Sequence, residues 1–259
     1  AARGRGGVSI IGAGRFKPPP EVAAAPPLDL RAPLLPPLTG AQQSALLLLC
    51  DSGLPTGGFA HSSGLEVAAQ LGLLGGGANR GNAAPVDAKA LARYARASGR
   101  SYMRLSQPFV TAAHGLLATD DGTDGADDDV LFARWHALDA ALGDRLAPHA
   151  AAARASRDQG LALARVVSQW LGSGGGGAVT TALATRLHVE CSTAARDDSG
   201  GGRVHLACVF GLVGALLRLP CEHVVSALGY SSARDLCSAA VRLNIIGPLR
   251  AVALTEEVA

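Results

Sequence analysis

Apolar residues recur at helical spacing through most of the chain. Leu131, Trp135, Leu138 and Leu142 step by four, three and four, which marks one face of a helix. Asp129 stands where its side chain would cap that helix. The longest apolar run, Leu206 to Leu217, is flanked by His205 and Arg218. Its twelve residues fall short of the roughly 20 a bilayer span requires, so it predicts a buried core helix. A further helix is predicted from about Ser232 to Ile246, with Leu236, Leu243 and Ile246 on one side and Gly247-Pro248 as its stop. Pro148 and Pro220 are placed to open helices, because a first-turn proline forfeits no intrahelical bond. Pro108 is expected to divide the stretch from Ala88 to Thr119 into two helices. No segment alternates apolar and polar residues. The pattern therefore predicts an all-α fold, a single-domain multi-helix bundle without sheet.

The helical pattern is interrupted in four places, at residues 75–82, 119–129, 172–177 and 196–202. These are glycine-rich or acidic, the second with six aspartates, and read as solvated loops. Residues 1–40 hold repeated prolines and glycines without a period and are expected to be a disordered tail, leaving 41–259 as the helical domain. The chain opens on Ala1 rather than Met, so a missing true N-terminus is expected.

Composition narrows the function classes. Apolar residues make up 48% and aromatics only 4%, with Ala and Leu dominant, which favours helix. The net charge of +2 gives no sign of a nucleic-acid binder. Cys50, Cys191, Cys208, Cys221 and Cys237 include no CxxC pair and suit a reducing compartment without disulfides or a zinc site. The glycine stretches lack the Lys-Ser or Lys-Thr of a phosphate-binding loop. No two of the seven histidines are four apart. His188 and Cys191, three apart, could form a weak soft-metal site or a nucleophile pair, or be ordinary helix residues. A helical metal carrier built on His188, Cys191 and His205 is therefore one alternative, and an unrelated interaction domain another.

Two stretches stand out. Leu54 to Glu66 reads Leu-Pro-Thr-Gly-Gly-Phe-Ala-His-Ser-Ser-Gly-Leu-Glu. Pro55 fixes the chain, Gly57 and Gly58 permit a positive φ or close backbone approach, and Phe59 is expected to anchor the turn in the core. Ser63 and Glu66 have capping-box spacing for a helix from Gly64 to Leu74. His61 is a candidate surface residue. In the second stretch Arg234, Ser238 and Arg242 are four apart, on one helix face opposite the leucines. The two arginines could clamp a partner's carboxylates, or form a solvated face with Asp235.

Both stretches resemble the UreF family of urease accessory proteins. The resemblance rests on Leu54, Pro55, Gly57, Gly58, Phe59, Ser62, Gly64, Leu65 and Glu66, and on Ala239, Ala240, Arg242, Leu243 and Gly247, with Asn244 in the Arg-Leu-Asn-Ile-Ile-Gly-Pro-Leu run similar to eukaryotic members. Weaker likenesses are Ser156-Arg157 with Gly160, and His205, Phe210, Gly211 and Gly214. Leu161 departs from the family, which often has arginine there, and members generally continue beyond the position of Ala259. The resemblance implies a cytoplasmic, homodimeric, all-α scaffold that is not an enzyme. It implies binding to a UreD-type (UreH-type) accessory protein and, through it, recruitment of a UreG-type GTPase to apo-urease. No cofactor is expected on the chain itself, nickel being handled by the complex. Neither nucleic acid nor membrane is an expected partner. Interface or motif residues would be Pro55, Gly57, Gly58, Phe59, His61, Gly64, Glu66, Arg234, Ser238, Arg242 and Asn244.

Overall fold

The computed structural model describes residues 35–75, 86–118, 128–175, 177–196 and 204–258. Among them the elements are α1 (Gly40–Leu49), a 3-10 turn (Gly58–Ala60), α2 (Leu65–Gln70), α3 (Ala88–Ala118), α4 (Asp128–Leu146), α5 (Ala150–Trp170), α6 (Ala178–Arg196), α7 (Leu206–Leu216), α8 (Cys221–Arg242) and α9 (Pro248–Val258). No strand occurs among the described residues, so the all-α class read from the pattern holds. The expected tail falls largely outside the described residues. Gly40, its last residue, opens α1 under a Thr39 cap that forms a capping box with Gln42. Most of the expected loops at 75–82, 119–129 and 196–202 also lie outside them. The stretch at 172–177 is partly a π turn, Leu171–Gly175, continuing α5.

Helix α7 is the centre of the bundle. Every residue from Ala207 to Gly214 is buried, and the helix packs against α3, α5 and α8. A side chain at Gly211 would put its Cβ 2.3 Å from the Val110 carbonyl of α3, so this helix crossing requires glycine there. Such a buried helix end cannot leave its amides bare. The His205 N–H donates to the Asp139 carboxylate of α4 at 2.7 Å, and the Leu206 N–H donates to the Ser156 hydroxyl of α5 at 3.1 Å. The Trp135 indole N–H reaches the Cys208 carbonyl at 3.2 Å. The predicted α4 face is the buried one: Leu131, Trp135 and Leu142 lie in the core and Leu138 packs against it. A second, smaller cluster joins α2, α3, α8 and α9 through Leu65, Leu91, Cys237, Ala251 and Leu254.

Four expectations are corrected. Pro108 does not divide its segment, for α3 runs unbroken through 31 residues with the proline inside. Pro108 and Arg104, whose carbonyl loses its partner, both face solvent, where water replaces the missing bond. Asp129 does not cap α4 from outside but lies in its first turn, paired with Arg186 of α6. The predicted helix from Ser232 to Ile246 begins eleven residues earlier, at Cys221, and ends at Arg242. Its stop is Asn244 rather than Gly247. At φ 56° Asn244 enters the left-handed region. The amides of Asn244 and Ile245 then bond the Val241 and Ala240 carbonyls, each at 2.9 Å. Pro248, expected as part of that stop, opens α9.

Candidate functional site

The segment between α1 and α2 takes its shape from two left-handed turns. Gly57, at φ 74°, turns the chain into the 3-10 turn, closed by bonds from the Ala60 and His61 amides to the Gly57 and Gly58 carbonyls at 3.0 and 3.2 Å. Ser63 at φ 48° and Gly64 at φ 78° make the second turn. The expected Ser63–Glu66 capping box does not form, since Gly64 itself occupies the cap position without a side-chain bond. With Ser63 left-handed, its carbonyl instead accepts the Tyr94 hydroxyl of α3 at 2.7 Å. Helix α2 is correspondingly short, ending at Gln70 rather than Leu74.

Side chains from α8 and α3 hold this segment from beneath. Arg234, its side chain only 17% exposed, donates to the Cys50 carbonyl at the end of α1. Its Nε and a terminal nitrogen donate to one oxygen of Asp235 at 3.1 and 2.8 Å. The second Asp235 oxygen lies against Gly58, where a Cβ would come within 1.9 Å of it and 3.3 Å of the Gln159 amide oxygen. Two turns further along α8, Arg242 donates to the Ala60 carbonyl at 3.2 Å. Arg234, Arg242 and Tyr94 thus hold the backbone at Cys50, Ala60 and Ser63 by hydrogen bonds, and Asp235 packs against it at Gly58. Below lie Tyr102, pushed up to about 12 chiefly by burial with Asp235 adding to the shift, and the buried Ser106 that hydrogen-bonds it. Burial also raises the Cys50 thiol, which keeps it protonated and unreactive near neutral pH.

The predicted residues therefore separate into groups. Gly57, Gly58, His61, Arg234 and Arg242 converge on the loop, with His61 half-buried and Pro55 and Glu66 exposed. Ser238 is half-buried on α8 between the arginines, and Asn244 is exposed where that helix ends. The Phe59 side chain lies outside what is described. Arg234 and Arg242 do not form an outward pair, because Arg234 spends its donors inside the molecule. Gln159 and Tyr94 escaped the sequence reading, and Asp235, expected on a solvated face, instead turns to Arg234 and Gly58. Only Asp235, adjacent to Arg234, carried a signal.

The metal-carrier constellation does not assemble among the described residues, where no three His, Cys, Asp or Glu side chains are disposed to hold an ion. Cys191 is fully buried, its thiol raised by burial and then by Asp139. His205 is 2% exposed and lowered to about 4, first by burial and second by Arg157, so it is neutral at pH 7. A shallow depression lined by Leu117, Leu131, Phe132, Leu183, Leu212 and Leu216 has no polar group to orient a substrate. Among the described residues no helix is long and apolar enough to cross a membrane.

Comparison with known proteins shows the family. The UreF family model matches residues 86–259. Urease accessory protein F of Arabidopsis thaliana is 33% identical over 214 residues, 82% of this chain and 72% of the plant protein. Urease accessory protein 6 of Cryptococcus neoformans is 30% identical over 232 residues, 78% of this chain and 71% of that one. Urease accessory protein UreF of Mycobacterium tuberculosis is 31% identical over 217 residues, 82% of this chain and 78% of the relative. The chain belongs to the UreF family of urease accessory proteins.

Proposed function

We propose that this chain is a non-catalytic scaffold in urease maturation. It docks a UreD-type accessory protein and, through that complex, brings a UreG-type GTPase to apo-urease, with nickel as the cargo of the assembly. It works as a homodimer in the cytoplasm. The observation that carries this reading is the Leu54–Ser63 loop, held by hydrogen bonds at Ala60 and Ser63 and packed against Asp235 at Gly58, with its outer residues Pro55, Ala60 and Ser63 exposed. A loop held in one shape loses little conformational entropy on docking, which favours binding. Family membership supports a place in the urease accessory complex.

The test is co-purification of the chain with the UreD-type and UreG-type proteins of the same source, read by size exclusion. A complex containing all three is the expected result. Elution of the chain alone in the presence of both proteins would refute the scaffold role.

A further inference from the structure

Helix α3 carries Lys89, Arg93, Arg96, Arg100 and Arg104, and no aspartate or glutamate along its 31 residues. At 3.6 residues per turn all five fall within an arc of about 80°, over a length of about 22 Å. That arc faces solvent, for Leu91, Ala95, Ser106, Phe109, Val110 and Ala113 bury the opposite side. Lys89, Arg93, Arg100 and Arg104 are exposed. Arg96 is neutralised by Glu257 of α9 at 2.5 Å. Among the described residues, none of the other four has an acidic side chain within ion-pair reach. Asp87, just ahead of the helix, turns its carboxylate to the Lys89 backbone amide at 2.9 Å.

The arrangement works against the helix that carries it. Like charges four apart, as at 89/93, 96/100 and 100/104, repel each other. Lys89 also sits at the positive end of the helix dipole. The α4–α6 surface shows the ordinary alternative, in which Arg186 is discharged by Asp128, Asp129 and Glu190. A stripe that weakens its own helix and, Arg96 apart, is not discharged among the described residues is suited to discharge by another molecule.

We propose that the α3 stripe docks an acidic protein face belonging to one of the proteins with which the chain assembles. This rests on the scaffold reading above. The arc holds no aromatic side chain on which a base would stack, and the whole chain carries only +2, so a protein fits better than a nucleic acid. The partner supplies carboxylates along about 22 Å, and the contact weakens with salt.

The test uses the full chain with Arg93→Glu, Arg100→Glu and Arg104→Glu together, and a second form with glutamine at the same three positions. Affinity is measured for the purified UreD-type protein, the UreG-type protein and apo-urease in turn, at low and high salt. Wild type is expected to lose tenfold or more in affinity for one of them at high salt. Both triple variants are expected to lose at least tenfold at low salt and most of the salt dependence. Their thermal midpoints are expected to hold or rise, because the repulsion is relieved. Binding within twofold of wild type for every partner would overturn the proposal. So would a lowered midpoint in the glutamine form, or tighter binding of a short DNA duplex than of any of the three proteins. A wild-type chain that binds none of the three at either salt would sink the scaffold reading itself, and the stripe's partner with it.

Discussion

Gly58 and Asp235 are coupled, since a methyl on the glycine and the carboxylate oxygen would stand 1.9 Å apart. Gly58→Ala is expected to cost about 1–3 kcal/mol in the wild-type background, the range of overpacking. With Asp235→Ala already present, the same change is expected to cost under about 1 kcal/mol, because the Gln159 end can swing aside. Urea unfolding of the two singles and the double closes the cycle, and equal costs in both backgrounds would break the coupling. His205 gives a second residue-scale expectation. Its folded value of about 4 lies below the 6.5 of the exposed group, so the folded state favours the neutral ring. That stability is complete above 6.5 and is lost as pH falls through 6.5 toward 4, by up to about 3 kcal/mol. Thermal midpoints measured across that range should fall for wild type and fall less for His205→Gln.

Helices α3 and α7 cross where Gly211 meets the Val110 carbonyl at what would be 2.3 Å from a Cβ. The obstacle is backbone, so neither helix relieves it by a rotamer change. Gly211→Ala is expected to cost about 3 kcal/mol, at the upper end of overpacking, as a drop in the midpoint of denaturant unfolding. A change under about 1 kcal/mol would mean the crossing is looser than drawn. The same crossing explains why the Pro108 signal failed as a boundary. Phe109, Val110 and Ala113, just past the proline, are buried against the core, and that packing outweighs one missing hydrogen bond on the solvent side.

For the whole molecule the two arginines of α8 should part company. Arg234 ties α1 to α8 from a largely buried position, so Arg234→Ala is expected to lower stability. Arg242 is exposed and, among the described residues, reaches only the Ala60 carbonyl, so Arg242→Ala is expected to leave unfolding nearly unchanged. In the scaffold reading it weakens the accessory complex by about 1–3 kcal/mol. Denaturation midpoints and size-exclusion titrations of both variants separate these effects. A complex unaffected by Arg242→Ala would remove that residue from the interface.

The order of apolar residues by itself determined the helical class, the α4 face and the burial of Leu206 to Leu217, because period and hydrophobicity are local properties. It also supplied the motif glycines and arginines that carry the family resemblance. Four features were decided only in three dimensions. These are the capping of α7 by Asp139 and Ser156, the joining of Cys50 and Gly58 through Arg234 and Asp235, the unbroken α3, and the left-handed Ser63 that replaced a capping box. Each depends on groups 31 or more residues apart, or on a backbone choice paid for by such a contact. Local spacing cannot state which distant acceptor a buried amide or guanidinium will meet, and the requirement that every such group be satisfied acts only once the chain is packed.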